Sequence, residues 1–309
     1  MGFPTIPALV VVILAVSSGG LGSEPYTGVA ALWDLGAGAR PVALGDAFAG
    51  MADDGNALVF NPAGLAWGDG LSVLSSLEIR PATSRYENIT VYVQNLGLGV
   101  YYFDFGDILE TDEFGNAVGT FSYRNYGLIV GTGVSAASLP VLSGLRLAPC
   151  IAFGLNAKLL IVDTLESGDG RGFAGDLSLL LRVDDPWFGK GYLSRFSFGI
   201  LAQNLLGAPI AYESGHNEGW NKNVAIGISA KVLNQLTASF ETRSSETAHL
   251  GFEWTPVPFL ALRCGVKAEG IWIWTIGLGI RATHYSFDYA LVVHPYLSEQ
   301  HRASFEVSW

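Results

Sequence analysis

From about residue 71 to the end of the chain, apolar side chains alternate with polar or small ones. The stretch 272–280, for example, places Trp, Trp, Ile, Leu and Ile at every second position. Successive side chains of a strand point to opposite faces, so this period of two predicts strands with one apolar face. No run of about eighteen consecutive apolar residues follows residue 20, and we therefore expect no membrane-spanning helix after that point.

The composition is too apolar for the surface of a typical soluble domain. Hydrophobic residues make up 50% of the chain and charged residues 15%, and the mean hydropathy is +0.34. A membrane barrel accommodates this composition, because its apolar residues face lipid while the residues between them face the lumen. Residues 70–309 contain about fourteen strand-like stretches, and a single-chain barrel requires an even number. The sequence therefore predicts an all-β fold, a closed antiparallel transmembrane β-barrel in the bacterial outer membrane.

The connections between the predicted strands alternate in length. If the N-terminus is periplasmic, the outer loops lie around residues 107–119, 163–172, 205–221 and 295–301. Short periplasmic turns are expected at residues 233–234, 255–258 and 283–284. Two further turns on that side, 137–144 and 184–193, are longer than this rule predicts.

Residues 1–23 have the pattern of a secretory signal peptide. An apolar run at 7–16 is followed by small residues near a cleavage point. No Lys or Arg precedes the run, which departs from the usual signal. We assign residues 24–69 to a linker and an N-terminal segment distinct from the barrel at 70–309.

The part of that segment from Gly36 to Ala66 is rich in Gly and Ala and shows neither helical periodicity nor strand alternation. Asn61 can cap a turn with its side-chain oxygen, while Pro62 fixes the next φ near the helical value. The pair therefore predicts a stiff corner. From the residues alone, an ordinary loop–helix–loop of a soluble domain is the alternative.

The same segment resembles the N-terminal hatch of FadL-like outer-membrane barrels, and more closely that of their PorV/PorQ branch. The resemblance implies a hatch, or plug, folded inside the barrel lumen. It is carried by an ordered set of residues: Gly38, Ala39, Arg40, Gly45, Ala47, Phe48, Ala52, Asp53, Asp54, Asn61, Pro62, Ala63, Gly64 and Leu65.

The C-terminal strand carries a second signal. Phe305, Val307 and Trp309 alternate with polar residues, and the chain stops on an aromatic residue. This pattern resembles the signal read by the outer-membrane insertion machinery, which is the partner it implies together with membrane lipid. Upstream, residues 287–293 followed by His301 and Arg302 resemble the closing hairpin of PorV/PorQ-type chains.

Charged residues on the polar rows of the later strands are expected to face the lumen. Because both signs are present, we interpret them as paired lining of a filled or narrow lumen, whereas an ion-selective ring needs one dominant sign. The predicted lumen charges are Glu241, Arg243, Glu253, Arg263, Lys267, Arg281, Asp288 and Glu306.

Several functional classes lack a supporting residue set. The net charge of −11 argues against nucleic acid as a partner. His249 and Asp288 are not part of any nucleophile motif, and we expect no enzyme activity, cofactor or metal site. Cys150 and Cys264 are far apart in predicted strands, where we expect buried or lipid-facing thiols.

Two functions remain, and both are implied by resemblance. The FadL-like resemblance implies passage of hydrophobic small molecules, with Asn61, Pro62 and Ala63 forming the kink that holds the hatch closed. The PorV/PorQ resemblance implies a non-transporting barrel that holds a secreted or surface protein partner at the outer membrane, as in type IX secretion.

Overall fold

A computed structural model describes residues 32–80, 84–165, 168–186 and 191–309. The predicted signal peptide at 1–23 lies outside the described residues, as does the linker up to residue 31. The strands are β1 Leu71–Ile79, β2 Arg85–Val93, β3 Leu96–Thr111, β4 Ala117–Ser135, β5 Ile151–Asp163, β6 Gly170–Asp184, β7 Leu193–Tyr212, β8 Asn217–Glu218, β9 Asn223–Val232, β10 Leu236–Arg243, β11 Thr247–Val257, β12 Leu260–Ala268, β13 Trp272–Arg281, β14 Tyr285–Val293 and β15 Gln300–Ser308.

These strands form one closed antiparallel barrel, which confirms the predicted fold. Strands that follow one another along the chain pair with each other, including β6 with β7. The pairing of β1 with β15 closes the barrel. The two-residue strand β8 only extends β7, which then pairs with β9, so fourteen strands make the wall. We call the end where β1 begins and β15 finishes the turn end, and the opposite end the loop end.

Side chains alternate across the wall as the sequence predicts. On β13, Trp272 and Trp274 are 65% and 60% exposed on the outside, while Ile273 and Thr275 between them are buried. Cys264 lies on the outer face. Both Cys264 and the half-buried Cys150 are free thiols. The outer face is thus an apolar surface that water would solvate poorly, and lipid covers such a face in a membrane barrel.

Two of the four predicted outer loops, 107–119 and 205–221, are in large part wrong, because the strands continue through them. The predicted loops 163–172 and 295–301 largely coincide with the β5–β6 and β14–β15 connections. β3 extends to Thr111 and β4 begins at Ala117, so most of 107–119 is a paired hairpin. β7 likewise extends to Tyr212, into the predicted loop 205–221. Beyond the membrane both faces of a hairpin meet water, so pairing can continue without the alternation that marks a membrane strand.

Residues Leu32 to Trp67 lie inside the barrel, and we call this segment the hatch. It contains helix α1 (Ala39–Ala43), helix α2 (Ala57–Phe60) and a 3₁₀ helix (Pro62–Trp67). Helix α1 packs against β12 to β15, and the 3₁₀ helix against β4 to β6. Nearly all hatch residues are buried. In the described part of the chain, no helix is long and apolar enough to cross a membrane.

Inward-facing glycines bring the wall into contact with the hatch main chain. A Cβ added to Gly154 would lie 2.0 Å from the Ala63 nitrogen, and one added to Gly199 would lie 2.0 Å from the Ala49 oxygen. Such distances leave no room for any larger residue. Similar close approaches to hatch backbone atoms occur at Gly133, Gly227, Gly251 and Gly265.

Candidate functional site in the barrel lumen

Arg40 of the hatch is the centre of a buried ion cluster. Its Nη1 donates to Asp53 Oδ1 at 2.6 Å and to Asp54 Oδ2 at 2.7 Å. Its Nε and Nη2 donate to the two oxygens of Glu253 on β11, at 2.9 and 3.1 Å. Paired N–H groups match the planar carboxylate geometry, so this contact fixes the orientation of the hatch relative to β11.

The cluster continues from Glu253 along the wall. Arg263 Nε donates to Glu253 Oε2 at 2.7 Å, and Arg263 Nη1 donates to Asp288 Oδ1 at 2.6 Å. All three side chains are buried. Charges on neighbouring strands therefore pair across the ladder, and each compensates the burial of another.

Other wall charges on the same side bind the main chain of the hatch. Glu241 accepts hydrogen bonds from the backbone N–H groups of Phe48 and Ala49, at 3.0 and 2.8 Å. The buried His249 ring contacts the Gly45 carbonyl oxygen through Nδ1 at 2.7 Å. These are long-range contacts between the wall and a segment about two hundred residues earlier.

Ion pairs also tie this side of the wall to the hatch and to itself. Lys267 pairs with Asp46 of the hatch, and the buried Arg302 pairs with Glu78 on the neighbouring strand β1. Because these contacts are concentrated on β10 to β15 and β1, we call those strands the ionic wall.

The corner at Asn61 has the geometry that its sequence suggests. The Asn61 side-chain oxygen accepts from the Ala63 N–H at 3.2 Å, and Pro62 begins the 3₁₀ helix. The side-chain amide donates to the carbonyls of Ala49 and Leu179 at 2.8 and 3.2 Å. Asn61 therefore joins two parts of the hatch to strand β6.

The opposite side of the lumen, formed by β2 to β7, is mainly apolar, and we call it the apolar wall. Its buried side chains pack with hatch residues Leu32, Trp33 and Leu58 in one continuous core. The wall contributes Tyr86, Tyr92, Tyr101, Ile129, Ala152, Leu160, Val162, Leu180 and Ile210.

A small cavity lies where the hatch meets both walls. It is lined by Trp33 and Phe60 of the hatch, Leu201 of the apolar wall and Glu241 of the ionic wall. The space is narrow and admits little more than one water molecule. Any larger molecule must therefore move side chains as it passes.

Two polar groups of the hatch lie at this cavity. Asp34 lines it and keeps an exposed surface, and the loss of hydration inside the barrel raises the pKa of its carboxyl to about 6. The buried indole N–H of Trp33 donates to no partner in the described part of the chain. Among the described residues, no three His, Cys, Asp or Glu side chains gather in a metal-binding arrangement.

The structure places most of the predicted hatch residues and lumen charges in one connected network. Arg281 lies apart, half-buried at the turn end of β13, and Glu306 binds the Tyr92 hydroxyl. In the predicted insertion signal, Phe305 and Trp309 are exposed and Val307 is half-buried.

Two buried ion pairs were missed by the sequence interpretation. One is Arg302 with Glu78, and the other is Lys158 with Asp176 at 2.8 Å. Each charge occupies an inward position of its strand. Alternation was therefore the signal that could have identified all four residues.

Comparison with known proteins agrees with this architecture at the level of the fold. No protein-family model matches the chain, and no curated protein matches it. Among solved structures, the "TodX deltaS2S3 mutant monoaromatic hydrocarbon channel" is similar with a TM-score of 0.64 at 12% identity, covering 88% of this chain and 98% of that chain. The "CymD monoaromatic hydrocarbon channel" is similar with a TM-score of 0.59 at 10% identity, covering 89% and 98%.

These likenesses show the fold alone, and both the FadL-like and the PorV/PorQ resemblances stay predictions. In the described part of the chain the strands close into one ring of paired neighbours, and the outer face is mainly apolar, with the exposed charges Arg85 and Glu87 toward the loop end. Those are the requirements for a barrel that spans the bacterial outer membrane. The chain is an outer-membrane β-barrel.

Proposed function

We propose that the chain passes small hydrophobic molecules across the outer membrane, between the hatch and the apolar wall. The fold shared with two hydrocarbon channels supports this proposal. The observation that carries it is the unequal lumen. The larger apolar core borders the hatch on the apolar wall, whereas on the ionic wall a smaller cluster of Ile273, Ala290 and Val292 packs against helix α1.

The proposed path follows that core. Ile210 and Leu160 lie on strands of the apolar wall, and Trp33 of the hatch belongs to the same cluster. An apolar molecule that follows this path displaces mainly apolar side-chain contacts, and the buried Lys158–Asp176 pair beside it keeps its partner. On the ionic wall the same movement would separate Arg40 from Glu253, at a much greater cost.

The hatch main chain stays in place in this mechanism. Its backbone approaches wall glycines such as Gly154 and Gly199 too closely to slide past larger residues. The path therefore opens by rearrangement of side chains, including Leu58 and Phe60. Asn61, Pro62 and Ala63 hold the corner that keeps the hatch seated.

The test measures uptake of a hydrophobic fluorophore, N-phenyl-1-naphthylamine, by bacterial cells that express the chain. We expect faster uptake than in cells without it, with no change for a hydrophilic solute of similar size. Leu160→Gln, which places an amide in the apolar core, is expected to slow uptake several-fold. The matched control is Val118→Gln in the β3–β4 hairpin, where Val118 is 60% exposed.

Heat-modifiable gel migration first verifies that the barrel is folded. Uptake by cells with the folded barrel that equals uptake by cells without the chain would overturn the proposal. If a secreted or surface protein also co-purifies with the barrel, the result would favour the non-transporting PorV/PorQ-type role. Recognition of Phe305, Val307 and Trp309 by the insertion machinery is a separate proposal.

A further inference from the structure

The connection between β4 and β5 is unusually long and apolar for the turn end of the barrel. It spans residues 136–150, whereas the β2–β3 and β9–β10 connections at the same end span only 94–95 and 233–235. Strands β4 and β5 already pair at Ser135 and Ala152. Closing this hairpin therefore does not require the additional residues.

Three of the larger apolar side chains of this connection are exposed. Val141 is 92% exposed, Leu145 55% and Leu147 57%. A lone exposed leucine is ordinary, but several within one short segment form a surface that water solvates poorly.

Part of the backbone of the connection is hydrogen-bonded internally. The N–H groups of Leu142, Leu145 and Ala148 donate to carbonyls three residues earlier, at 2.9, 3.0 and 3.0 Å. Cys150 does the same toward Leu147 at 2.9 Å. A segment that has paired its own N–H groups can enter a region with little water at low cost.

The exposed patch is continuous with the lipid-facing wall. The outer row of β5, with Phe153 39% and Leu155 51% exposed, leads directly into the connection. The only charged residue in 136–150 is Arg146, which is exposed. A cation among apolar side chains suits the headgroup layer, where anionic lipids attract it.

We infer that residues 136–150 form an interfacial membrane anchor, lying in the headgroup and upper acyl region of the leaflet at the turn end. The occupant of this surface is lipid, and the inference does not depend on what the barrel transports. Its chemical basis is apolar burial at shallow depth, supported by one arginine and by a backbone that is in part hydrogen-bonded internally.

The experiment places an environment-sensitive NBD label at position 141 through Val141→Cys, in a Cys150→Ala, Cys264→Ala background. The folded protein is reconstituted in vesicles of phosphatidylcholine and phosphatidylglycerol. The matched control carries the label at Phe114→Cys, on the β3–β4 hairpin at the loop end, where Phe114 is 86% exposed between Asp112, Glu113 and Gly115.

The label at 141 is expected to emit at shorter wavelength than the control. Lipids spin-labelled at a shallow acyl position are expected to quench it at least threefold more strongly. Emission and quenching equal to the control would overturn the inference. A blue shift found only in native membranes, and not in pure lipid vesicles, would overturn it in favour of a protein partner.

If the barrel labelled at 141 does not fold, the same measurement at Leu145→Cys decides the question. In addition, Arg146→Glu is expected to reduce quenching of the 141 label in vesicles that contain phosphatidylglycerol, but not in phosphatidylcholine alone. The same reduction in both lipids would contradict the role given to the arginine.

Discussion

The two sides of the lumen hold one hatch by different kinds of interaction. On the ionic wall, Arg40, Glu253 and Arg263 form directional contacts of 2.7 to 3.1 Å between buried charges. On the apolar wall, Leu58 and Leu160 pack in a core that is stabilised by burial of apolar surface, which does not depend on one exact geometry. Directional contacts also occur on this wall, where Asn156 Nδ2 donates to the Leu58 carbonyl at 3.1 Å and the Ala63 N–H donates to the Ser178 hydroxyl at 3.0 Å. The Lys158 ammonium, paired with Asp176, lies 5.7 Å from the Trp33 ring centroid.

This difference separates anchoring from passage. A charged contact has one good geometry, and breaking it leaves an uncompensated charge. An apolar contact can be exchanged for another of similar area at little cost. The ionic wall therefore sets where the hatch lies, and the apolar wall is the side along which its surroundings can rearrange.

The largest effect is expected on the ionic wall. Glu253→Ala leaves Arg40 and Arg263 without a shared carboxylate, and should lower the free energy of unfolding by about 4 kcal/mol. Urea unfolding in lipid vesicles measures the change. Glu87→Ala, which removes an exposed partner 4.0 Å from Arg85, should cost less than about 1 kcal/mol. Equal losses of unfolding free energy in the two variants would contradict the anchoring role given to the buried charges of the ionic wall.

A slightly smaller loss of stability with a gain of function is expected on the apolar wall. Leu58→Ala opens space beside Gly97 and Gly131 and should cost about 3 kcal/mol. Uptake of the hydrophobic fluorophore should rise, because the proposed path widens. Leu109→Ala, at a position 60% exposed in the β3–β4 hairpin, should change neither quantity. Slower uptake by Leu58→Ala would contradict a path on this side.

The corner of the hatch should respond less strongly. Asn61→Ala removes the cap of the 3₁₀ helix and the bond to the Ala49 carbonyl, at a cost of about 2 kcal/mol. Combined with Pro62→Ala, it should loosen the hatch and raise dye permeability. The control is Asn116→Ala in an exposed turn, where the Asn116 side-chain amide donates to Asp112. Unchanged permeability in the double variant would show that the corner does not hold the hatch closed.

The smallest expected effect is a pH dependence at the cavity between the walls. Because the pKa of Asp34 is raised to about 6, its carboxyl is mostly neutral below that pH and charged above it. A neutral carboxyl is easier to desolvate, so uptake should be faster at acidic pH than at neutral pH. Asp34→Asn should abolish the difference, whereas the exposed Asp112→Asn should retain it. A dependence that survives in Asp34→Asn would assign it to another group.

Much of the fold could be predicted from the sequence because strand alternation is a local property. The alternating stretch 272–280 lies within β13, which spans Trp272–Arg281. The predicted strands ended too early at β3 and β7, since outside the membrane no lipid face demands alternation. The connection near 137–144 is longer than the short periplasmic turns expected of a barrel. The inferred membrane anchor, which includes its exposed leucines, gives a reason for this length.

The site could be predicted only as two separate sets of residues. Inward charges follow from alternation, and Arg40 and Asp53 follow from the hatch pattern. Nothing local tells that Arg40 pairs with Glu253, which lies 213 residues away. The same is true of Gly154, where only the approach of Ala63 shows why a side chain is excluded.

The sequence by itself determined the strand period, the sidedness of each strand and the composition of the N-terminal segment, since these depend on neighbouring residues. Only the tertiary structure decided that one half of the lumen binds the hatch through charges and the other through apolar area. That division depends on the closure of the barrel between β1 and β15. It also depends on where the hatch backbone lies within the closed wall, and no period along the chain encodes that position.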